Sequence, residues 1–202
     1  MAAESATGAT PSAQRSLDPS RRQRSDARRN AVVLVEAAKT VFAGSGVDAP
    51  AKEITDLAGV GVGTLYRHFP RRSDLVVAVL QHDIDECLEA AHEFATARNP
   101  WEAVLAWIER FTAFVGTKRG LATALHSGDP AYDDLPKHLM DRLEPAFQTL
   151  LGRAVASGQA RDDVAAKEVL VTIALMCQPV RGEQPSFNQS MVRVFMQGLA
   201  LD

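Results

Sequence analysis

Cysteine is nearly missing from this 202-residue sequence, and the two that occur, Cys87 and Cys177, stand far apart. That excludes a Cys-x-x-Cys redox pair, a cysteine metal site and a disulfide framework. Both lie among apolar residues and read as buried thiols, with a redox switch as the rarer alternative. No apolar run reaches the ~18 residues that a membrane span needs. The opening stretch MAAESATGATPSAQRSLDPS has no apolar core and is not read as a secretory signal, so a cytoplasmic protein is expected. His82, His92 and His126 lack a spacing such as His-x-x-x-His, and no metal is expected. No nucleophile–base pair and no phosphate loop of the P-loop spacing is found, so no catalytic residue and no cofactor is expected. Strand-type alternation and internal repeats are missing too. An excess of positive charge is also lacking, since the net charge is -3.

The distribution of charge is more informative than its sum. Residues 1–72 carry eleven Lys and Arg against seven Asp and Glu, about +4, and the remaining residues carry eleven against eighteen, about -7. A basic module facing a polyanion, joined to an acidic module with another task, fits that asymmetry. Residues 1–24 are rich in Ala, Ser, Thr and Pro without periodicity and are expected to form a disordered arm. The arm turns basic at Arg21, Arg22 and Arg24, followed by Arg28 and Arg29. Two readings stand side by side: a solvated charge run, or a segment that touches phosphates or enters a minor groove.

From Asp26 onward the apolar residues follow a helical period. Leu34, Val35, Ala38, Val41 and Phe42 form one stripe, with Ser25 and Asp26 as candidate caps and Gly44 or Gly46 as the stop. A second helix is expected from about Pro50 to Ala58 and a third from Val62 to His68, ended by Pro70. A fourth begins near Ser73–Asp74. Further helices are expected over 101–115, 121–126, 134–157, 163–177 and 187–200, with Pro145 inside 134–157, where it should bend the helix or loosen its first turn. The fold class is all-α. Three regions are expected: the arm 1–24, a first helical domain 25–86 and a second helical domain 87–202.

Residues 50–58, the turn 59–61 and the helix 62–68 make a helix-turn-helix. Gly59 stands where a positive φ is needed. Ile54, Ala58, Val60 and Leu65 supply the apolar set that locks the two helices, leaving the outer face of the second to enter a major groove. The flanks are more specific than the pair of helices. "EAAKTVFAGSGVDAPAKEI" followed by "AGVGVGTLYRHFPRRSDL" resembles the DNA-binding domain of the TetR family of transcriptional regulators over about Arg28 to Leu80.

That resemblance implies roles for particular side chains. Thr64 and Tyr66 match positions that touch DNA from the recognition helix, and their hydroxyls suit phosphate oxygens. Val62 and Gly63 match the positions nearest the base edges, although neither offers a side-chain hydrogen bond. Lys52 matches a DNA-contacting position of the second helix. His68 and Arg72 match phosphate-contacting positions, with Arg67 and Arg71 adding charge nearby. Leu65 and Phe69 read as core. Gly61 and Ala49 depart from the family pattern, which places a capping hydroxyl at each point, at a cost of about 1 kcal/mol apiece.

For the rest of the chain the resemblance implies a helical domain that binds an unknown small-molecule effector and forms a homodimer on a palindromic operator of double-stranded DNA. Its dimer surface is expected on the helices near 134–157 and 163–177. Trp101, Trp107, Phe111, Phe114, His126 and Met140 are candidate pocket residues, though aromatic and Met residues at helical spacing also build cores. The function this implies is a sequence-specific DNA-binding regulator, a ligand-responsive repressor. A ligand-independent or activating regulator, a small-molecule-binding protein or enzyme with an incidental basic motif, and a helical interaction module are the alternatives.

Overall fold

The computed structural model describes residues 19–97, 99–178, 180 and 185–201. The described elements are helices: α1 Pro19–Ser45, α2 Ala51–Ala58, α3 Val62–His68, α4 Arg72–Ala97, α5 Pro100–Gly120, α6 Ala122–Leu125, α7 Leu135–Ala156, α8 Ala166–Met176 and α9 Pro185–Gln197. A 3-10 turn at Pro130–Tyr132 precedes α7, and its Asp129 carboxylate accepts from the Ala131 amide. One isolated antiparallel bridge joins Ala160 to Ala200 and ties the α7–α8 loop to the end of α9. The class is all-α, as the patterning indicates.

The expected arm needs correction at its inner end. Residues 1–18 lie outside the described residues, but 19–24 are already helical, so α1 starts seven residues before Asp26. Pro19 occupies the first helical position, where its missing N–H costs nothing, and the Arg- and Gln-rich run after it consists of good helix formers.

In the N-terminal module α1 buries Leu34, Ala38 and Phe42 against Ile54 of α2, Leu65 of α3 and Leu75 and Val79 of α4. Gly46 stops α1 at φ +81, with its amide donating to Phe42 O. α2 closes in a Schellman arrangement: Gly59 sits at φ +67 and donates to Asp56 O, while Val60 donates to Thr55 O at 3.1 Å. Pro50 and Gly61, the residues flanking α2 and α3 on their N-terminal sides, make no side-chain cap.

The boundary expected at 86–87 falls inside α4. That helix is continuous, and its buried residues Leu80, Ile84 and Cys87 belong to the same core cluster as residues on both sides. In the C-terminal bundle Trp107 stacks on Phe111 and on Phe147 of α7, with centroids 5.6 and 5.1 Å apart. The Trp107 indole N–H donates to Cys87 O at 2.8 Å, so its one polar atom is satisfied. Burial pushes the Cys87 thiol up to about 12, away from thiolate chemistry.

On α7, one of the two helices expected at a dimer surface, the apolar stripe turns inward. Its stripe of Leu135, Leu139, Leu143, Phe147, Leu150 and Leu151 is buried within the chain, packed with α4 and α5. The same period that suggested a surface for a second copy is used by the monomer core. Large apolar side chains are instead exposed on α8 and α9: Val171, Leu175, Phe187, Met191 and Val194.

Candidate nucleic-acid interface

α3 is held by its inner side only. Leu65 is buried, Phe69 packs half-buried on the core, and the Phe69 amide donates to Leu65 O at 2.8 Å. The opposite face is open. Val62 and Gly63 are exposed, Thr64 is half-buried, and Tyr66 is 53 % exposed. A large aromatic ring left in water beside an exposed Arg67 is an unusual surface for a stable helix to keep. Neither the Tyr66 hydroxyl nor the Arg67 guanidinium has a hydrogen-bonding partner among the described residues. Nothing lies within 4 Å of where a Cβ at Gly63 would stand, so this turn of α3 presents bare backbone outward.

α2 stands beside α3 and carries Lys52, which pairs with Asp56 at 2.6 Å across one turn. Both side chains are exposed, and such a pair contributes little, so the ammonium is readily redirected to a phosphate. Leu57 on the same helix, which the apolar pattern places on the inner face with Ile54 and Ala58, is instead exposed. Arg28 is exposed on the N-terminal half of α1, and Arg29 beside it makes only a loose 3.6 Å contact with Asp26. His68 is half-buried, tilted against Phe69 at 6.2 Å.

Two arginines near the start of α4 do structural work. Arg71 grips Asp74 through its side chain at 2.7 Å and through its backbone amide at 2.9 Å. The Arg71 hydrogen bonds hold the Asp74 carboxyl below the usual range. Arg72 turns inward: Nε donates to Val47 O at 2.7 Å and Nη2 donates to Val47 O and Ala49 O. Its guanidinium also lies 5.0 Å from the centre of the Phe42 ring, and burial pushes its pKa down. Arg72 was expected to face phosphate. The structure has it bracing the α1–α2 loop against α4, because the two loop carbonyls have no helical partners and the guanidinium fork reaches both.

The module therefore brings Arg28, Lys52, Val62, Gly63, Thr64, Tyr66 and Arg67 to accessible positions and commits Arg72 elsewhere. A short helix with a bare outer face, braced at a Gly turn and flanked by exposed cations, is the layout of a helix-turn-helix that enters a groove.

Comparison with known proteins agrees with this layout. Residues 34–79 match the bacterial regulatory proteins of the tetR family, and residues 99–201 match the C-terminal domain of SbtR-like transcriptional regulators. A TetR transcriptional regulator from Streptomyces coelicolor is 30% identical, with a TM-score of 0.71 over 84% of this chain and 98% of that one. The chain belongs to the TetR family of transcriptional regulators. A TetR regulatory protein from Mycobacterium vanbaalenii is similar at 28% identity and TM-score 0.71, over 89% of this chain and 99% of its own. An HTH-type transcriptional regulator of Staphylococcus aureus (strain MRSA252) is 31% identical over 84 residues. That match covers 44% of the Staphylococcus protein, less than half its length. These relatives are regulators, not enzymes, and the TetR assignment removes the readings of the chain as an enzyme or an isolated interaction module. No helix among the described residues is long and apolar enough to cross a membrane.

The six candidate pocket residues do not form one lining. Trp107, Phe111 and Phe114 are buried core, Met140 packs half-buried on it, and His126 is exposed. Only Trp101 of the six borders the large cavity, of about 970 Å³, that opens between α5, the end of α8 and α9. Leu105, Ile108, Val192 and Met196 give it an apolar wall, and Gln189 and Arg193 a polar edge. Pattern alone could not separate cavity from core, since both use apolar residues at helical spacing.

Proposed function

We propose that this TetR-family chain is a sequence-specific repressor that binds a palindromic operator as a homodimer and is released by a small molecule. The observation that carries the DNA reading is the exposed Tyr66–Arg67 face of α3 on a rigidly braced helix-turn-helix. Arg28, Lys52, Thr64 and His68 add phosphate contacts, and Val62 and Gly63 lie closest to the bases. Because neither of these offers a side-chain hydrogen bond, part of the specificity comes from backbone grip and DNA shape.

The dimer forms through α8 and α9. Leu175 is 67 % and Val194 60 % exposed; Val171 shares a face of α8 with Leu175, and Phe187 and Met191 share a face of α9 with Val194. Such apolar faces mark an association surface, and two-fold pairing of them presents two α3 helices to two half-sites. The cavity beside α9 suits a ligand of drug-like size with an apolar body and a polar end. A ligand there acts by favouring dimers whose α3 spacing no longer fits successive major grooves. Such a regulator works in the cytoplasm, where its operator is.

The test is a gel shift and footprint with duplex DNA from upstream of the chain's own gene. Binding that saturates at one protected palindrome and weakens steeply with salt supports the reading. Equal binding to every duplex, or none at low salt, sinks it.

A further inference from the structure

Three side chains of metal-ligating type meet between two helices far apart in the chain, an arrangement that leaves no ligand spacing in the sequence. In the fold, Glu36 of α1 reaches across to His82 and Glu86 of α4, and their ligand atoms lie within 4.8 Å of one another. His82 and Glu86 are one turn apart on the same face. His82 Nε2 contacts Glu36 Oε1 directly and lies 4.0 Å from Glu86 Oε1.

We propose that Glu36, His82 and Glu86 bind one divalent transition-metal ion of the zinc class, which staples the DNA-binding module to the helix that joins it to the C-terminal bundle. One imidazole and two carboxylates with a position left for water is a donor set suited to that ion. A tetrahedral site with bonds of about 2.1 Å has ligand–ligand edges of about 3.4 Å, and the separations here bracket that figure. Small side-chain rotations close the site, and all three side chains retain access to solvent for them.

The surroundings favour an added cation. Lys39 pairs with Asp83 and Glu86, Arg110 approaches Glu86, and Glu36 meets His82, so three carboxylates stand against two cations when His82 is neutral. Asp83 is 3 % exposed and ion-paired with Lys39. Lys39 also donates to Glu86 Oε2 at 2.9 Å, which leaves Oε1 of the same carboxylate for the metal and orients it. Arg110 approaches that Oε1 at 3.5 Å on a half-exposed side chain, longer than a hydrogen bond and able to withdraw.

The test uses the full untagged chain, stripped with EDTA and returned to metal-free buffer. Zn2+ is titrated by calorimetry and Co2+ by visible absorption. One Zn2+ per chain, a Co2+ spectrum displaced by Zn2+, and a melting temperature raised by Zn2+ are expected. His82→Ala and Glu36→Gln each weaken binding by about tenfold or more and abolish the thermal shift, with helical circular dichroism unchanged in EDTA. Glu36 is half-exposed, so Glu36→Gln decides the matter even where His82→Ala fails to fold. No uptake of either metal at millimolar concentration overturns the proposal. So does uptake undiminished in the folded variants, which would place it at the other histidines. No readout requires DNA, so a negative result leaves the regulator reading untouched.

Discussion

Tyr66 and Arg67 are neighbours on α3, yet they would act on DNA in different ways. Arg67 is an exposed cation without a partner among the described residues, so its contribution to binding would be counterion release. Arg67→Ala should weaken binding about equally on operator and unrelated duplex and lower the salt slope by about 1. A slope unchanged in a fluorescence-anisotropy titration would remove Arg67 from the interface. Tyr66→Ala should instead weaken operator binding by about tenfold with little change in slope, because a neutral ring and hydroxyl release few counterions. Arg72 belongs to a third kind. Its guanidinium holds Val47 O and Ala49 O, so Arg72→Ala should cost the fold about 1–3 kcal/mol, read as a lower urea midpoint. A midpoint unchanged beside lost DNA binding would return Arg72 to the phosphate-contacting role. The sequence pattern showed that a cation belongs at 72 but not which way it points. That direction is set by two loop carbonyls 23 and 25 residues earlier in the chain.

The elements most legible in the sequence are those with strong local punctuation. α3 runs over Val62–His68, as Gly61 and Pro70 indicate, and α2 ends at Gly59 for the stated reason of a positive φ. Gly59→Ala should therefore cost about 1 kcal/mol through the left-handed backbone alone, since no neighbour lies within 4 Å of the added Cβ. A drop several times larger in thermal denaturation would mean a clash that the structure does not contain. The α1–α4 junction was illegible because its parts are local on neither helix. There burial alone would lower the Lys39 ammonium, but hydrogen bonds to Asp83 and Glu86 hold its pKa above the ordinary 10.5. Burial alone would raise the Glu86 carboxyl, but Lys39 holds it below 4.5, aided by Arg110 and His82. A depressed carboxyl stabilises the fold above its unfolded pKa and loses that effect as pH falls through its folded value. A raised ammonium does so below its unfolded pKa and loses the effect as pH rises past its folded one. Stability should thus hold near neutrality and fall at the acid end below about pH 4.5. In Lys39→Met the acid-side loss should be smaller and the neutral plateau lower, by urea titration at each pH. An acid limb of unchanged size would show that Glu86 owes nothing to Lys39.

At the scale of the whole molecule, the apolar periods of α7 and α8 are similar in the sequence, and only packing separates their uses. α7 lies between α4 and α5 and is covered on its apolar side by the chain itself. α8 buries Val169, Leu170 and Ile173 inward and still has Val171 and Leu175 facing out, and α9 likewise exposes Phe187, Met191 and Val194. A helix apolar on both faces is one that packs twice, once within the chain and once against something else. A second copy would meet that need most simply, because the same face would oppose itself across a two-fold axis. Leu175→Glu would then bury a charge within the contact. Sedimentation should show the wild type as a dimer and Leu175→Glu as a monomer with the same helical content. Operator affinity should fall far more than non-specific affinity, because a single half-site is read by one α3 while phosphate contacts within a chain persist. A variant that stays dimeric would move the interface away from α8. A monomer that keeps full operator affinity would separate dimerisation from recognition and leave the exposed apolar faces for another partner.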